Sequence, residues 1–522
     1  MLFLVIVLTL FILVSSMGCV WLCTKNTRVV LLVGSVWIIS QLLWFFYSPI
    51  LYGKPEITKS SDRDLIQGDT VRNWGNTYSC KPAHIYRVQN IDTLRRIVNT
   101  SSRIKVLGGG HVWSPISCTN GTLITLDWCT ISSDNETVTA SAGCSIEEVE
   151  QHLHAKNRML YGLGSIRSQS VAGALLGHLH GVYKKAFAHF VIHLHAVLHN
   201  SSLISVQDVS WWINSMGMLG VVTDVTIQTF PLTMVTSKIE YLPLKEAIDH
   251  LLSDDVIGGQ ITSVVGKMQE VVQLKTIFNP KDTQKKPQTF QGFWLRFGWD
   301  YIVIPSYLLL SDVIRQIQTE YSKNIVIKEE VLQQVASFPG YGFLSSSYGV
   351  PSEKCLSSIQ EILNIDKHLH FHIRRLDPYN AALSVAPVNS CIIDVNYMNI
   401  AVDHYDDHVY NFHTNVEQII LSYGGITHWG KYWASPTPPQ ISNAFREYRS
   451  VMDPNEKFLN NYTYDIVYNI SREHRYPPSA INERGFIWRF SIWFNCAIVI
   501  LSSSYAFYKY LYKGKSDYKL IQ

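Results

Sequence analysis

The sequence predicts an α+β protein whose body is bounded at both ends by long apolar runs, and three observations carry that expectation. The first is periodicity in the early body. Thr122–Leu126 and residues 136–142 alternate in the two-residue rhythm of strands, whereas residues 91–99 space Leu94, Ile97 and Val98 along one helical face. The second is the later half, where helix-like segments at 311–321 and 357–365 alternate with strand-like runs and suit a mixed sheet with helices on one side. The third is segregation of charge. Residues 1–23 contain no charged residue, residues 29–51 are similarly apolar, and a third such run covers 490–508.

With 522 residues the chain exceeds one small core and has room for two domains plus extra segments. Its net charge of +3 and the absence of a basic stripe argue against a nucleic-acid partner. The aromatic content of 12% fits either a membrane-anchored protein or a large stacking site, and does not choose between them.

Each apolar run can cross a hydrocarbon layer about 30 Å thick. For the first run a cleaved signal peptide is the rival reading. The missing positive flank and the length of the apolar stretch favour a membrane hairpin, with helices over about 2–23 and 29–51. Lys25 and Arg28 lie between those helices, and Lys509, Lys513 and Lys515 follow the third run in a tail at 509–522. The positive-inside rule puts both basic segments in the cytoplasm and the body on the other side. Asn-X-Ser/Thr sequons at Asn99, Asn120, Asn135, Asn200, Asn461 and Asn469 all fall in that body, which agrees with a glycosylated, lumenal domain of the endoplasmic reticulum.

Of nine cysteines, Cys19, Cys23 and Cys496 sit in apolar runs. The other six, Cys80, Cys118, Cys129, Cys144, Cys355 and Cys391, show no zinc-ligand spacing and could pair as disulfides in a lumenal domain, with the pairing open.

Along the body, Ser145 reads as the N-cap of a helix over Ile146–His154, with acidic residues in its first turn. Before it, the run Ile104-Lys-Val-Leu-Gly-Gly-Gly-His-Val-Trp-Ser-Pro joins a short strand to three glycines and a histidine. Glycines without Cβ can turn sharply and converge their N–H groups on an anion. A second stretch, 160–181, contains Leu163-Gly-Ser-Ile-Arg-Ser-Gln-Ser-Val-Ala-Gly, then Gly177-His-Leu-His-Gly. A third, 211–231, carries Met216-Gly-Met-Leu-Gly-Val-Val before a strand-like run and Pro231. Histidines are frequent from 178 to 199, but His193 and His195 alternate with Ile192, Leu194 and Ala196, and no carboxylate or cysteine joins them. A β-hairpin turning at Asn200-Ser-Ser is expected there, and no metal site.

Together with His428-Trp-Gly-Lys and Asp453-Pro-Asn-Glu-Lys-Phe-Leu-Asn, these stretches resemble the vanillyl-alcohol-oxidase flavoprotein superfamily, in particular its sugar-1,4-lactone oxidase branch. The resemblance covers about residues 70–465. It implies a PCMH-type FAD-binding domain of two sheet subdomains over 52–233, then a substrate or cap domain with a mixed sheet over 234–471 that returns to the first domain. A linker at 472–489 would lead into the last apolar run. In that branch the glycine loop cradles the FAD pyrophosphate and the histidine is covalently linked to the flavin. The resemblance therefore assigns FAD contacts to Leu107, Gly108, Gly109, Gly110, His111 and Val112, with His111 the link. It adds Gly164, Ser165, Ile166, Gln169, Ser170 and Gly173 from the second stretch, and Gly220 and Val221 from the third.

Two departures stand out. Where the family carries small residues, this chain has His178 and Leu179; where it carries Glu-X-Arg, this chain has His372 and Arg374. The resemblance implies oxidation of a sugar-1,4-lactone at the carbon bearing its 2-hydroxyl, with O₂ as acceptor, H₂O₂ as product, and a place in ascorbate-type biosynthesis. His372 or Lys431 would assist loss of the hydroxyl proton, and Arg374 would stabilise negative charge on the reduced cofactor. Rival readings are an alcohol or alditol oxidase or dehydrogenase on the same fold, and an inactive membrane glycoprotein.

Overall fold

A computed structural model describes residues 65–66, 70–73, 78–164, 166–263, 272–278, 325–328, 343–366, 369–398, 405–434 and 441–471. These fall within one compact unit, Ile57–Asn399 with His404–Pro478. The apolar runs, the 472–489 linker, the basic tail, the expected helix at 311–321 and Ser165 lie outside the described residues. No helix among the described residues is long and apolar enough to cross a membrane.

The first sheet is ordered β1-β2-β4-β3, with strands at Leu65–Ile66, His84–Val88, Thr122–Leu126 and Ile104–Val106 respectively. β2, β4 and β3 run parallel, and α1 (Ile91–Thr100) supplies the crossover from β2 to β3. Asn90 caps that helix by accepting from Thr93 N, and Leu94, Ile97 and Val98 are its buried face. They pack with Val88, Ile104 and Ile124, and also with Val197, Val221 and Phe458 from later in the chain. Each such side chain stabilises by about 1.5–3 kcal/mol through burial, so this small core depends on distant segments for closure.

The second sheet is antiparallel, ordered β8-β7-β9-β6-β5, with strands at Leu203–Val206, Val191–Val197, Val221–Gln228, Thr137–Ser141 and Ile131–Ser133. The expected hairpin is β7–β8, turning at 200–202, where Ser201 has φ +63°. Helix α2 (Ile146–His154) begins in a full capping box: Ser145 Oγ accepts from Glu148 N, and the Glu148 carboxylate accepts from Ser145 N. The short helix α3 (Val171–Leu176) is capped by Ser170.

The third sheet has eight strands, ordered β13-β10-β12-β11-β15-β16-β14-β17. Their ranges are Ile325–Lys328, Met234–Leu242, Val272–Phe278, Gly258–Ser263, His370–Leu376, Ser390–Met398, Phe343–Pro351 and Ile426–Thr427. Here the expected mixed sheet is corrected: every neighbouring pair among the described residues is antiparallel. The reason is connectivity. Helix α4 (Leu244–Leu251) joins β10 to β11, and helix α5 (Cys355–Ile365) joins β14 to β15, but in each case a third strand, β12 or β16, inserts between the two. The crossovers therefore link next-nearest strands, giving two split βαβ units side by side. The helices lie on one face, as expected. Leu244, Ile248, Ile359, Ile362, Phe412 and Val416 from α4, α5 and α6 (Tyr405–Ser422) pack on Phe371, Ile373, Ile393, Val395 and Tyr348. The other face turns toward the first two sheets, and its centre is polar.

The chain then returns. Asp453 accepts from Lys457 N and Phe458 N after α7 (Asn443–Met452), and Asn460 caps α8 (Asn461–Tyr468). The six cysteines outside the apolar runs form three disulfides, Cys80–Cys118, Cys129–Cys144 and Cys355–Cys391. All six sequon asparagines are exposed.

Candidate active site

Strand β3 delivers the glycine loop. Leu107 is buried and its N–H still bonds Ile124 O at 2.8 Å; Gly108 and Gly109 then emerge at the surface of the site. Among the described residues, the N–H groups of Gly108, Gly109 and Gly110 donate to no protein acceptor. Gly110 has φ +68°. A Cβ at Gly108 would strike Ser170 Oγ, and one at Gly109 would lie 2.6 Å from Ser168 O. The loop therefore presses against 168–170, and the two glycine-bearing stretches form one wall. Gln169 Oε1 is buried there without a hydrogen-bond partner among the described residues. Unspent amides, absent Cβ atoms and an orphaned amide oxygen fit a phosphate-bearing ligand.

His111 follows at the rim, its Nε2 2.9 Å from Ser168 Oγ. Burial lowers its pKa to about 4, so the ring is neutral at physiological pH. Beyond it the loop joins the third sheet. Trp113 N–H donates to Gly430 O at 2.8 Å, and Ser114 Oγ donates to Trp429 O at 2.7 Å. Asn73 Nδ2 donates to Val112 O at 2.8 Å. These contacts lay 428–431 against the glycine loop. Lys431 Nζ stands 4.4 Å from the Trp113 ring centre and donates to Ser345 Oγ at 3.2 Å. Burial first, then the neighbouring Arg374, lowers the Lys431 pKa to about 7. Arg374 pairs with Asp394.

Three imidazoles complete the site. His178, His180 and His428 are buried, with ring centres 5.3–5.5 Å apart. His428 Nδ1 accepts from Gly430 N at 3.1 Å, which leaves Nε2 to donate to His178 O at 3.2 Å. His178 takes φ +59°, a left-handed conformation that ordinarily favours glycine, and stacks on Tyr379 at 5.0 Å. Leu179 fits because Gly164 has no Cβ; one there would sit 2.6 Å from Leu179 Cδ1. One ring nitrogen from each histidine lies within 4.8 Å of those from the other two, a spacing that could hold a metal ion. Arg374 and Lys431 beside them oppose a cation electrostatically, and both depress the pKa values of His180 and His428 below the usual imidazole range after burial itself.

The structure thus gathers Gly108–Gly110, His111, Ser170, Arg374 and Lys431. His372 lies on the same strand face as Arg374, directly opposite Asp394 in the register. Ile166 is half-buried, and Gly173 N–H bonds Ser170 Oγ at 3.2 Å. Gly220 and Val221 are elsewhere in character. Gly220 abuts Val197 O, and Val221 is a core residue between the first two sheets. Sequence reasoning missed Trp113, Tyr379, Ser347 and Asp394. The signal for Asp394 was a carboxylate at an alternate position of the otherwise apolar Cys391-Ile-Ile-Asp-Val run.

Comparison with known proteins agrees with this geometry. An FAD-binding-domain family model matches residues 82–207, and the D-arabinono-1,4-lactone oxidase model matches 262–466. The chain is 23% identical over 431 residues to an L-gulono-1,4-lactone dehydrogenase of Mycobacterium tuberculosis, covering 76% of this chain and 98% of that one. It is 22% identical over 452 residues to the L-gulonolactone oxidase of Mus musculus, covering 77% and 99%. Cholesterol oxidase from B. sterolicum superposes with a TM-score of 0.61 at 15% identity, over 79% of this chain and 99% of that structure. The shared fold is a mixed α/β FAD-binding fold of the PCMH type, and the cofactor is FAD.

Proposed function

We propose that this chain, a member of the FAD-linked sugar-1,4-lactone oxidase and dehydrogenase family, oxidises a sugar-1,4-lactone of the L-gulono or D-arabinono type at the carbon bearing its 2-hydroxyl. The observation that carries the reading is the seating of Lys431 over Trp113, two residues beyond His111. It brings the glycine loop into contact with the segment that follows the third sheet.

FAD, when bound, would supply the hydride-accepting chemistry, with O₂ as the acceptor that would give H₂O₂. The glycine-loop amides and the 168–170 wall would hold the phosphate end, and His111 would be the point of covalent attachment. Its neutral ring and the Ser168 hydrogen bond hold a nucleophilic nitrogen in a fixed orientation. Lys431, with a pKa of about 7, exchanges a proton near neutrality and takes up the proton of the 2-hydroxyl. Arg374 would stabilise negative charge on the reduced cofactor, and Asp394 fixes that guanidinium in place. His178, His180 and His428 stay neutral under burial, so they offer hydrogen bonds without adding charge.

The same reading places the body on the lumenal side of an endoplasmic-reticulum-type membrane, anchored by the apolar runs. Exposed sequons and three disulfides support an oxidising compartment.

The test is direct. Purified full-length protein should keep flavin absorbance after acid precipitation and consume O₂ when given L-gulono- or D-arabinono-1,4-lactone. His111→Ala should release its flavin on precipitation. Colourless wild-type protein, even with excess FAD, defeats the reading. Turnover with a dye but not with O₂ would change the acceptor, and preference for an open-chain alditol would change the substrate.

A further inference from the structure

The centre of the third sheet carries a straight polar row. In the strand register Thr262 faces His372, His372 faces Asp394, and Asp394 faces Ser347. His428 continues it, its N–H bonding Ser347 O at 2.8 Å. Directly opposed residues in antiparallel pairs share a face and hold their Cβ atoms about 4.5–5.5 Å apart. The face is fixed by the neighbours. Phe371, Ile373, Ile393, Val395 and Tyr348 alternate with these residues and are buried against the helices. The row therefore points the other way, toward Lys431, which reaches the same face at Ser345.

Two members of the row are unspent. Asp394 is 3% exposed and uses Oδ2 on Arg374, yet its Oδ1 has no hydrogen-bond partner among the described residues. Ser347 is fully buried, and among the described residues its Oγ has none either. A buried carboxylate oxygen and a buried hydroxyl, side by side on one strand pair, form an acceptor next to a donor-acceptor. Adjacent hydroxyls on a ring present the complementary pattern.

We propose that Asp394 and Ser347 form a hydroxyl-reading subsite for a polyhydroxylated substrate, binding hydroxyls away from the reacting carbon and so setting which sugar lactone is accepted. This rests on the reading of the site as a sugar-lactone pocket. Without the matching hydroxyl both buried groups stay unpaired, and sites of that design reject deoxy analogues by factors on the order of 10⁴–10⁵. An apolar pocket would discriminate far less.

The experiment compares kcat/KM for L-gulono-1,4-lactone with that for its 3-deoxy and 5-deoxy analogues in full-length, FAD-loaded protein. Wild type should prefer the intact lactone over one analogue on the order of 10²-fold or more. Ser347→Ala, which leaves the Arg374–Asp394 pair intact, should cut that ratio at least tenfold at the same position, and Asp394→Asn should cut it as well. Because the ratio compares substrates on one preparation, partial unfolding of a variant does not move it. Unchanged ratios in both variants overturn the proposal. If wild type oxidises no lactone, the functional reading fails, and the subsite is judged by melting temperature. An increase with added lactone in wild type but not in Ser347→Ala keeps it, and equal behaviour removes it.

Discussion

Lys431 Nζ lies 4.4 Å from the ring centre of Trp113, although they are 318 positions apart and lie in loops that follow strands of different sheets, β3 and β17. The contact desolvates the amine on one side, while Arg374 repels its charge from the other. Both effects favour the neutral amine, and the cation–π attraction only partly offsets them.

That balance predicts a pH profile. Lys431 loses its proton as pH rises through about 7, so kcat should rise over the same interval if the neutral amine accepts the hydroxyl proton. Lys431→Met should lower kcat by roughly 10²–10⁴ and abolish that limb of the profile. Lys431→Arg keeps the charge but cannot deprotonate, so it should be as slow as the methionine variant. An arginine variant with near-normal kcat would show that charge, not proton transfer, is what the position supplies.

Local signals were legible in the sequence where one residue's chemistry decided the outcome. Ser145 and Glu148 announced the start of α2, Asn200-Ser-Ser announced a hairpin, and Gly108–Gly110 announced a turn with open amides. The site was less legible because it is assembled by register. Asp394 meets His372 only once β16 inserts between β14 and β15, and no periodicity in the chain states which strand lies between two others. The same ignorance of neighbours led to the expectation of a mixed sheet. His178 illustrates another limit. Its bulk at a position suited to glycine reads as a threat to the site, but Tyr379, which receives the ring, is 201 residues away.

The cysteine pairing makes a prediction about compartment. Non-reducing peptide mapping of protein from a secretory host should recover Cys80–Cys118, Cys129–Cys144 and Cys355–Cys391, and glycosidase treatment should reduce the mass through the exposed sequons. Replacing Cys355 and Cys391 together with alanine should cost about 2–5 kcal/mol in chemical denaturation. Free thiols at these six positions, with no glycan at any sequon, would contradict the lumenal assignment.

Asn460 fastens the returning chain to the FAD side. Its Nδ2 donates to the carbonyls of Pro115, Ile116 and Cys118 at 2.8, 3.0 and 2.7 Å, and its Oδ1 accepts from Thr463 N at 2.8 Å. Asn460→Ala should destabilise by about 2–4 kcal/mol, combining a lost cap with unpaired carbonyls. Asn460→Asp separates the two roles, because aspartate is an equally good N-cap but would turn a carboxylate oxygen on three carbonyls. It should be at least as damaging as alanine in urea titration. An aspartate variant as stable as wild type would reduce Asn460 to a helix cap.

Lys105 predicts how stability depends on pH. The side chain is 2% exposed at the junction of β3, the 216–217 turn and the returning segment, donating to Met216 O at 3.2 Å and Phe458 O at 3.0 Å. Burial lowers its pKa to about 7, with Asp453 pulling weakly the other way. The unfolded chain keeps this proton up to its ordinary value of 10.5, so between about 7 and 10.5 the unfolded state binds more protons than the native state. Stability must then rise with pH across that window, by up to about 1.4 kcal/mol per pH unit for each such lysine. Lys431 acts in the same sense over the same interval. Urea unfolding from pH 7 to pH 9 should show this climb in wild type, a shallower one in Lys105→Met, and the shallowest in Lys105→Met combined with Lys431→Met. Methionine also forfeits two hydrogen bonds to carbonyls, so the absolute stability of the variant is not diagnostic and the slope is. A double variant with the wild-type slope would mean that both amines are protonated in the native protein, and that the electrostatic account of Lys431 as a proton acceptor is wrong with it.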